Sequence, residues 1–205
     1  MAVCIAIVLF GIVDCGNHIV QRAVEDYFQY HEGNWWQLVG TSDTMYVEVE
    51  PADTVLQKHV MPVSYNGIAR MIHDADEALY EFISVEYTFA GSPFTVINDF
   101  AVFIELPMVK GNTWRDSLID SLEVSGQVVH ATYHVWGIVS DCAYDERHGG
   151  DVYTIELNSV LSVTSPDTAI IDSSAILEEY APGTGVVRFR NETDDYLLDE
   201  YIFPE

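Results

Sequence analysis

Basic side chains are scarce in this chain of 205 residues. Lys58 and Lys110 are its only lysines, and 8 basic residues stand against 33 acidic ones for a net charge of −25. Nucleic-acid affinity comes chiefly from Lys and Arg on phosphates, so this balance excludes DNA and RNA as partners and opposes binding to anionic lipid headgroups. Cysteine is also sparse, with Cys4, Cys15 and Cys142. Once the first two are assigned to an N-terminal leader, no intramolecular disulfide remains to be made. Cys142, just past an apolar strand, then reads as a buried inert thiol. No apolar run reaches the ~20 residues that a helix needs to cross a bilayer. Signature motifs are missing as well: there is no Gly-x-Ser-x-Gly, no His-Glu-x-x-His and no Gly-x-x-x-x-Gly-Lys. The acidic residues are too scattered to nominate a glycosidase pair, so no catalytic residue and no cofactor is expected. Disorder is excluded despite the charge, because 49% of the residues are hydrophobic and 12% aromatic.

The apolar run Met1 to Val13 is too short to span a membrane and has the length of a signal-peptide core. It closes on Asp14-Cys15-Gly16-Asn17. That ending resembles the lipobox of bacterial lipoproteins and marks Cys15 as a lipid attachment site, with membrane contact only through this anchor. Residues 1–15 are thus expected to be a signal segment. Residues 16–30, with Ile19, Val20, Ala23, Val24, Tyr27 and Phe28 recurring at three and four, form a short helix or tether. After Trp36 the period becomes two: Met45, Val47 and Val49 alternate with Tyr46, Glu48 and Glu50. Turn chemistry separates the runs, as at Tyr65-Asn66-Gly67, Gly91-Ser92-Pro93 and Ser125-Gly126. Strands are expected near 54–64, 67–73, 78–89, 94–105, 117–124, 127–139, 152–163, 168–179, 185–190 and 196–203. The fold class is therefore all-β: a single curved antiparallel sheet, a half-barrel or barrel-like meander of about ten to twelve strands over 31–205, preceded by a short helix.

Two segments share a signature. Tyr27-Phe28 followed by Gly33-Asn34-Trp35-Trp36 is echoed by Leu106-Pro107 followed by Gly111-Asn112-Thr113-Trp114, at an offset of 111 − 33 = 78 residues. Glycine admits the positive φ of a tight turn and the tryptophan at the next strand start fills the sheet interior. Gly33, Asn34, Trp36, Gly111, Asn112 and Trp114 are therefore structural, and they open two halves of the domain. Gly183 and Gly185, in Tyr180-Ala181-Pro182-Gly183-Thr184-Gly185, belong to a hairpin turn; with no helix following, this is not a phosphate loop. Together the three pieces resemble a family of secreted bacterial lipoproteins whose mature part opens Tyr-Phe-Pro-Leu-x-x-Gly-Asn-x-Trp and closes on a Tyr-Ala-x-Gly-Val-Gly-Leu-Val hairpin. The likeness covers Tyr27 to Phe203. It implies an all-β protein of the cell envelope, with distant similarity to the curved sheets of lipoprotein carriers, and brings no catalytic residues with it.

Metal sites find little support. His130 and His134 have zinc-helix spacing but sit on a strand, where four residues span roughly 13 Å, too far for one ion. A site that draws in Asp141, Asp145 or His148 is the alternative. Asp74, Asp76 and Glu77 offer dense oxygen ligands, as do Asp194 and Asp195, but lack the glycine and distal glutamate of a calcium loop; solvated turns explain them. The expected function is a non-catalytic envelope lipoprotein, extracytoplasmic, that binds or scaffolds an unknown protein or apolar ligand. Two alternatives stand beside it: a carrier of an apolar or lipid ligand in the curved sheet, and a hydrolase whose site is assembled from residues remote in sequence.

Overall fold

The protein is described by a computed structural model covering residues 27–75 and 77–204. The leader with Cys15, most of the expected helix or tether and Asp76 lie outside the described residues. Thirteen strands follow: β1 (Trp35–Val39), β2 (Thr44–Val49), β3 (Asp53–Val55), β4 (Lys58–Tyr65), β5 (Ile68–Ala75), β6 (Ala78–Phe89) and β7 (Ser92–Glu105) in the first half, then β8 (Thr113–Val124), β9 (Gln127–Asp145), β10 (Gly150–Ser165), β11 (Thr168–Ala181), β12 (Gly185–Arg190) and β13 (Asp195–Ile202). All ladders are antiparallel and belong to one nearly closed, barrel-like sheet in the order β7-β6-β5-β4-β2-β1-β13-β12-β11-β10-β9-β8, with β3 folded onto β4 beside that path.

The expected strand 54–64 is two strands. Leu56 and Gln57 adopt φ of 48° and 65° and turn the chain back between β3 and β4. Positive φ at both central residues is the geometry of a tight hairpin, normally taken by Asn-Gly or Gly-Gly. Neither residue advertises it. Elsewhere the strands outrun their expected ends, β8 starting at Thr113 and β9 reaching Asp145. Bulges at Gln37/Leu38, Leu79/Tyr80, Val85/Glu86, Thr154/Ile155 and Glu179/Tyr180 bend the long strands so that the sheet curls on itself.

The curl encloses a core in which Phe28, Trp36, Leu38, Val47, Leu79, Ile104, Ile155 and Tyr180 are fully buried. Farther along the long strands a second cluster packs Val85, Val96 and Ile97 of β6 and β7 against Val129, Ala131 and Val163 of β9 and β10. On this arm the sheet is open on one side, because β5 pairs with β6 only from Ala78 to Glu81 and β12 pairs with β11 only from Leu177 onward.

The two Gly-Asn turns are bonded alike. Gly33 N donates to Val49 O at 2.8 Å and Val49 N to Asn34 O at 2.9 Å; Gly111 N donates to Val139 O at 2.8 Å and Val139 N to Asn112 O at 2.9 Å. In each, the asparagine amide reaches back five residues, Asn34 to the Gln29 carbonyl at 2.8 Å and Asn112 to the Pro107 carbonyl at 3.1 Å. Each turn delivers its tryptophan to a glycine. Trp36 Nε1 donates to Thr184 O at 2.5 Å, and its ring lies where a Cβ on Gly185 would come within 2.7 Å; the Trp114 ring fills the space where a Cβ on Gly137 would sit.

The strands β1–β7 and β8–β13 meet at two junctions. At the first, β1 pairs with β13, from Trp35 opposite Ile202 to Val39 opposite Leu197. At the second, β8 lies beside β7 and the two are the ends of the sheet, with no ladder between them. The second junction is bridged instead by side chains: Asp116 Oδ2 accepts from Val102 N at 3.0 Å, and Trp114 Nε1 donates to Phe103 O at 3.0 Å.

Candidate functional site

Where the β7–β8 ladder is missing, a cleft of about 860 Å³ opens. One wall comes from β6 and β7 with the turn before them, through Glu77, Tyr80, Val102 and Glu105. The other comes from β8, β9 and β10, through Thr113, Arg115, Trp136, Ile138 and Asn158. Alternation explains the second wall: Val135, Gly137 and Val139 are buried on β9, which turns Trp136 and Ile138 to the opposite face. Register then aligns it, since Arg115 of β8 and Asn158 of β10 both stand directly opposite Trp136. Trp136 is 43% exposed, unusual for so large an apolar ring. Among the described residues neither Arg115 nor Asn158 bonds another side chain, although four of the seven described Lys and Arg residues are ion-paired.

A second polar feature lies inside the barrel. Arg70 on β5 points inward, its guanidinium 4.9 Å from the Tyr65 ring centre and 5.1 Å from that of Phe103. Its Nη1 donates to Glu178 Oε1 at 3.0 Å, and Nε approaches Glu81 at 3.8 Å. Glu178 is fully buried, and its other oxygen accepts from the Tyr180 hydroxyl at 2.5 Å; Tyr180 in turn meets the Tyr30 hydroxyl at 3.3 Å. Burial, and then the Glu178 charge, raise the phenols of Tyr30, Tyr65 and Tyr180 well above the usual tyrosine range. Burial alone would lower the Arg70 value, but Glu178 and Glu81 raise it, so the guanidinium stays charged. Burial also raises the Glu81 carboxyl. For a group whose folded pKa is raised, the stabilising contribution is complete at acid pH and is lost as pH rises through the folded value. A cavity of about 200 Å³ adjoins the cluster, lined by Arg70, Glu81, Tyr133, Asn158, Ser159, Ser174 and apolar neighbours.

The residues singled out in the sequence are dispersed. Gly33, Asn34, Trp36, Gly111, Asn112, Trp114, Gly183 and Gly185 stand in the turns and tryptophan contacts described above. His130 and His134 are exposed on β9, and the His134 ring is 2.7 Å from Ser117 Oγ. Asp141 is bonded to Lys110 at 2.7 Å, Asp145 to Arg147 and Asp195 to Arg188. Asp74 is an exposed strand residue opposite Leu79. Glu77 lines the seam cleft. Among the described residues no group of three or more His, Cys, Asp or Glu is arranged to hold a metal ion. Cys142 is buried.

Sequence reasoning passed over Arg70, Glu81 and Glu178, although strand phase marks two of them. Glu178 falls in step with buried Tyr180 and half-buried Ile176, and Arg70 in step with buried Ile72. A charge at a core-phase position of an alternating strand is the available signal. Arg115 and Asn158 carry no such mark, since each occupies an outward position that sequence alone reads as wet surface, and Trp136 shares a mixed face of its strand with Val128, His130, Thr132 and His134. Compared with protein-family models, with curated proteins and with solved structures, the chain gives no significant match.

Proposed function

We propose that the protein is a non-catalytic binding module of the cell envelope whose ligand seats in the cleft between β7 and β8. The observation that supports this reading is the cleft itself. Its volume of about 860 Å³ falls within the range of small-molecule sites, ~300–1,000 Å³, and its walls combine the exposed Trp136 ring with the polar side chains of Arg115 and Asn158, which bond no other side chain among the described residues. The cavity beside Arg70, at about 200 Å³, is below that range and is lined in part by charged and polar side chains, so carriage of an apolar ligand in the sheet draws less support. Tethering through Cys15 rests on the apolar run Met1 to Val13 that closes on Cys15-Gly16-Asn17.

The test is a melting-temperature screen against sugars, amino acids, organic cations, organic acids and lipids, run on the protein and on Trp136→Ala. A ligand present at a hundred times its dissociation constant stabilises the folded state by about 2.7 kcal/mol. At least one class is expected to raise the melting temperature of the protein and not that of the variant. Equal shifts in both proteins, or none from any class, would remove the cleft as the binding site. Turnover of a bound compound would replace this reading with the hydrolase alternative, with Glu77 and Glu105 the carboxylates in place.

A further inference from the structure

We infer that the ligand of the seam cleft is a saccharide; the inference rests on the binding reading above. Arg115, Trp136 and Asn158 form a straight row across β8, β9 and β10. With strands ~4.8 Å apart the row is roughly 10 Å long, a platform for one or two sugar rings. At its centre Trp136 is 43% exposed and lies against no other aromatic ring among the described residues, so an open aromatic surface is available to the C–H face of a pyranose. On either side stand planar polar groups suited to hydroxyls. The Arg115 guanidinium donates only, and the Asn158 amide both donates and accepts.

The charges of the two walls narrow the ligand class. The β8–β10 wall offers donors, from Arg115, Asn158 and the Thr113 hydroxyl, whereas the facing wall offers the carboxylates Glu77 and Glu105 as acceptors. An anion satisfying Arg115 would face both carboxylates in a protein of net charge −25, and a cation satisfying the carboxylates would face Arg115. An apolar chain would leave polar groups on both walls without partners. A sugar hydroxyl donates and accepts, so a polyhydroxylated ring matches both walls and stacks on the ring between them.

The experiment titrates the purified protein with cellobiose, maltose, lactose and chitobiose, and with glycine betaine and citrate as zwitterionic and anionic controls, following tryptophan fluorescence and melting temperature. One of the sugars is expected to bind. Trp136→Ala should weaken it by at least about tenfold, while Trp136→Phe, which keeps a stacking ring, retains most of the affinity. Asn158→Ala should weaken it as well, with the melting temperature of each unliganded variant showing that the fold is intact. Sensitivity to Trp136→Ala for betaine or citrate, with no sugar bound, overturns the saccharide inference and leaves the cleft as a binding site. A sugar bound equally by the protein, Trp136→Ala and Asn158→Ala overturns the placement in this cleft. Binding of none of the six overturns the inference outright.

Discussion

Replacing Arg70 with methionine should destabilise the barrel by about 3–5 kcal/mol, the loss expected when one member of a buried ion pair is removed. The size follows from what remains behind. Glu178 is fully buried, and without the bond from Arg70 Nη1 at 3.0 Å its charge would keep, among the described residues, only the Tyr180 hydroxyl at 2.5 Å. Glu81, which has Arg70 as its ion-pair partner at 3.8 Å, would lose that partner too. Stacking losses are smaller, because a methionine stem still packs between the rings of Tyr65 and Phe103. The double variant Arg70→Met/Glu178→Met should recover much of the loss, since apolar replacement of both partners is often neutral. Chemical denaturation of the two single variants and the double variant measures the coupling directly. A single-variant cost below about 1 kcal/mol would show that Glu178 finds other partners or water in the folded protein.

Trp36→Ala and Trp114→Ala should each cost about 3–5 kcal/mol, the usual penalty for truncating a large aromatic in a packed core. Both rings are deeply buried, and each fills space left by a glycine, Gly185 for Trp36 and Gly137 for Trp114. Their secondary effects should differ. Trp36 holds the β11–β12 turn through Thr184 and lies 5.8 Å from the Phe203 ring, so its loss loosens a junction that still has its β1–β13 ladder. Trp114 supplies one of the two bonds that bridge β7 to β8, so its loss should also weaken any ligand held in the cleft. Urea midpoints give the first comparison and ligand affinity the second. An unchanged midpoint for either variant would mean that the Gly-Asn-x-Trp units are not core elements and that their repetition has no structural content.

The all-β meander was legible because alternation and turn chemistry are local properties. Met45, Val47 and Val49 are buried in β2, just as their spacing requires. The β3–β4 hairpin was not legible, because Leu56 and Gln57 accept positive φ without glycine or asparagine. The Gly-Asn turns were visible, but not that one starts a strand paired to the C-terminal strand while the other starts a strand paired only on its β9 side. That difference depends on how a long sheet meets itself, and contacts such as Val102 to Asp116 are not encoded in the period of either strand. The cleft was hidden for the same reason. Its walls come from strands at opposite ends of the sheet order, and Trp136, Arg115 and Asn158 become a row only once β8, β9 and β10 are in register. Arg70 and Glu178 lie between these cases: their phase exposes them as inward charges, but only the fold shows that they meet.

The central claim is that the two halves are zipped by a backbone ladder at β1–β13 and merely pinned by side chains at β7–β8. Amide hydrogen exchange resolved along the chain tests it, because laddered amides are released only by opening whereas unpaired ones exchange freely. Amides on the seam edges of β7 and β8, in the stretches 99–105 and 113–118 apart from Val102 N, which bonds Asp116, should exchange well before those of Trp35–Val39 and Asp195–Ile202, and a ligand in the cleft should slow them. Equal protection at both junctions in the free protein would mean that β7 and β8 are joined by a ladder, and would contradict both the open seam and the cleft built on it.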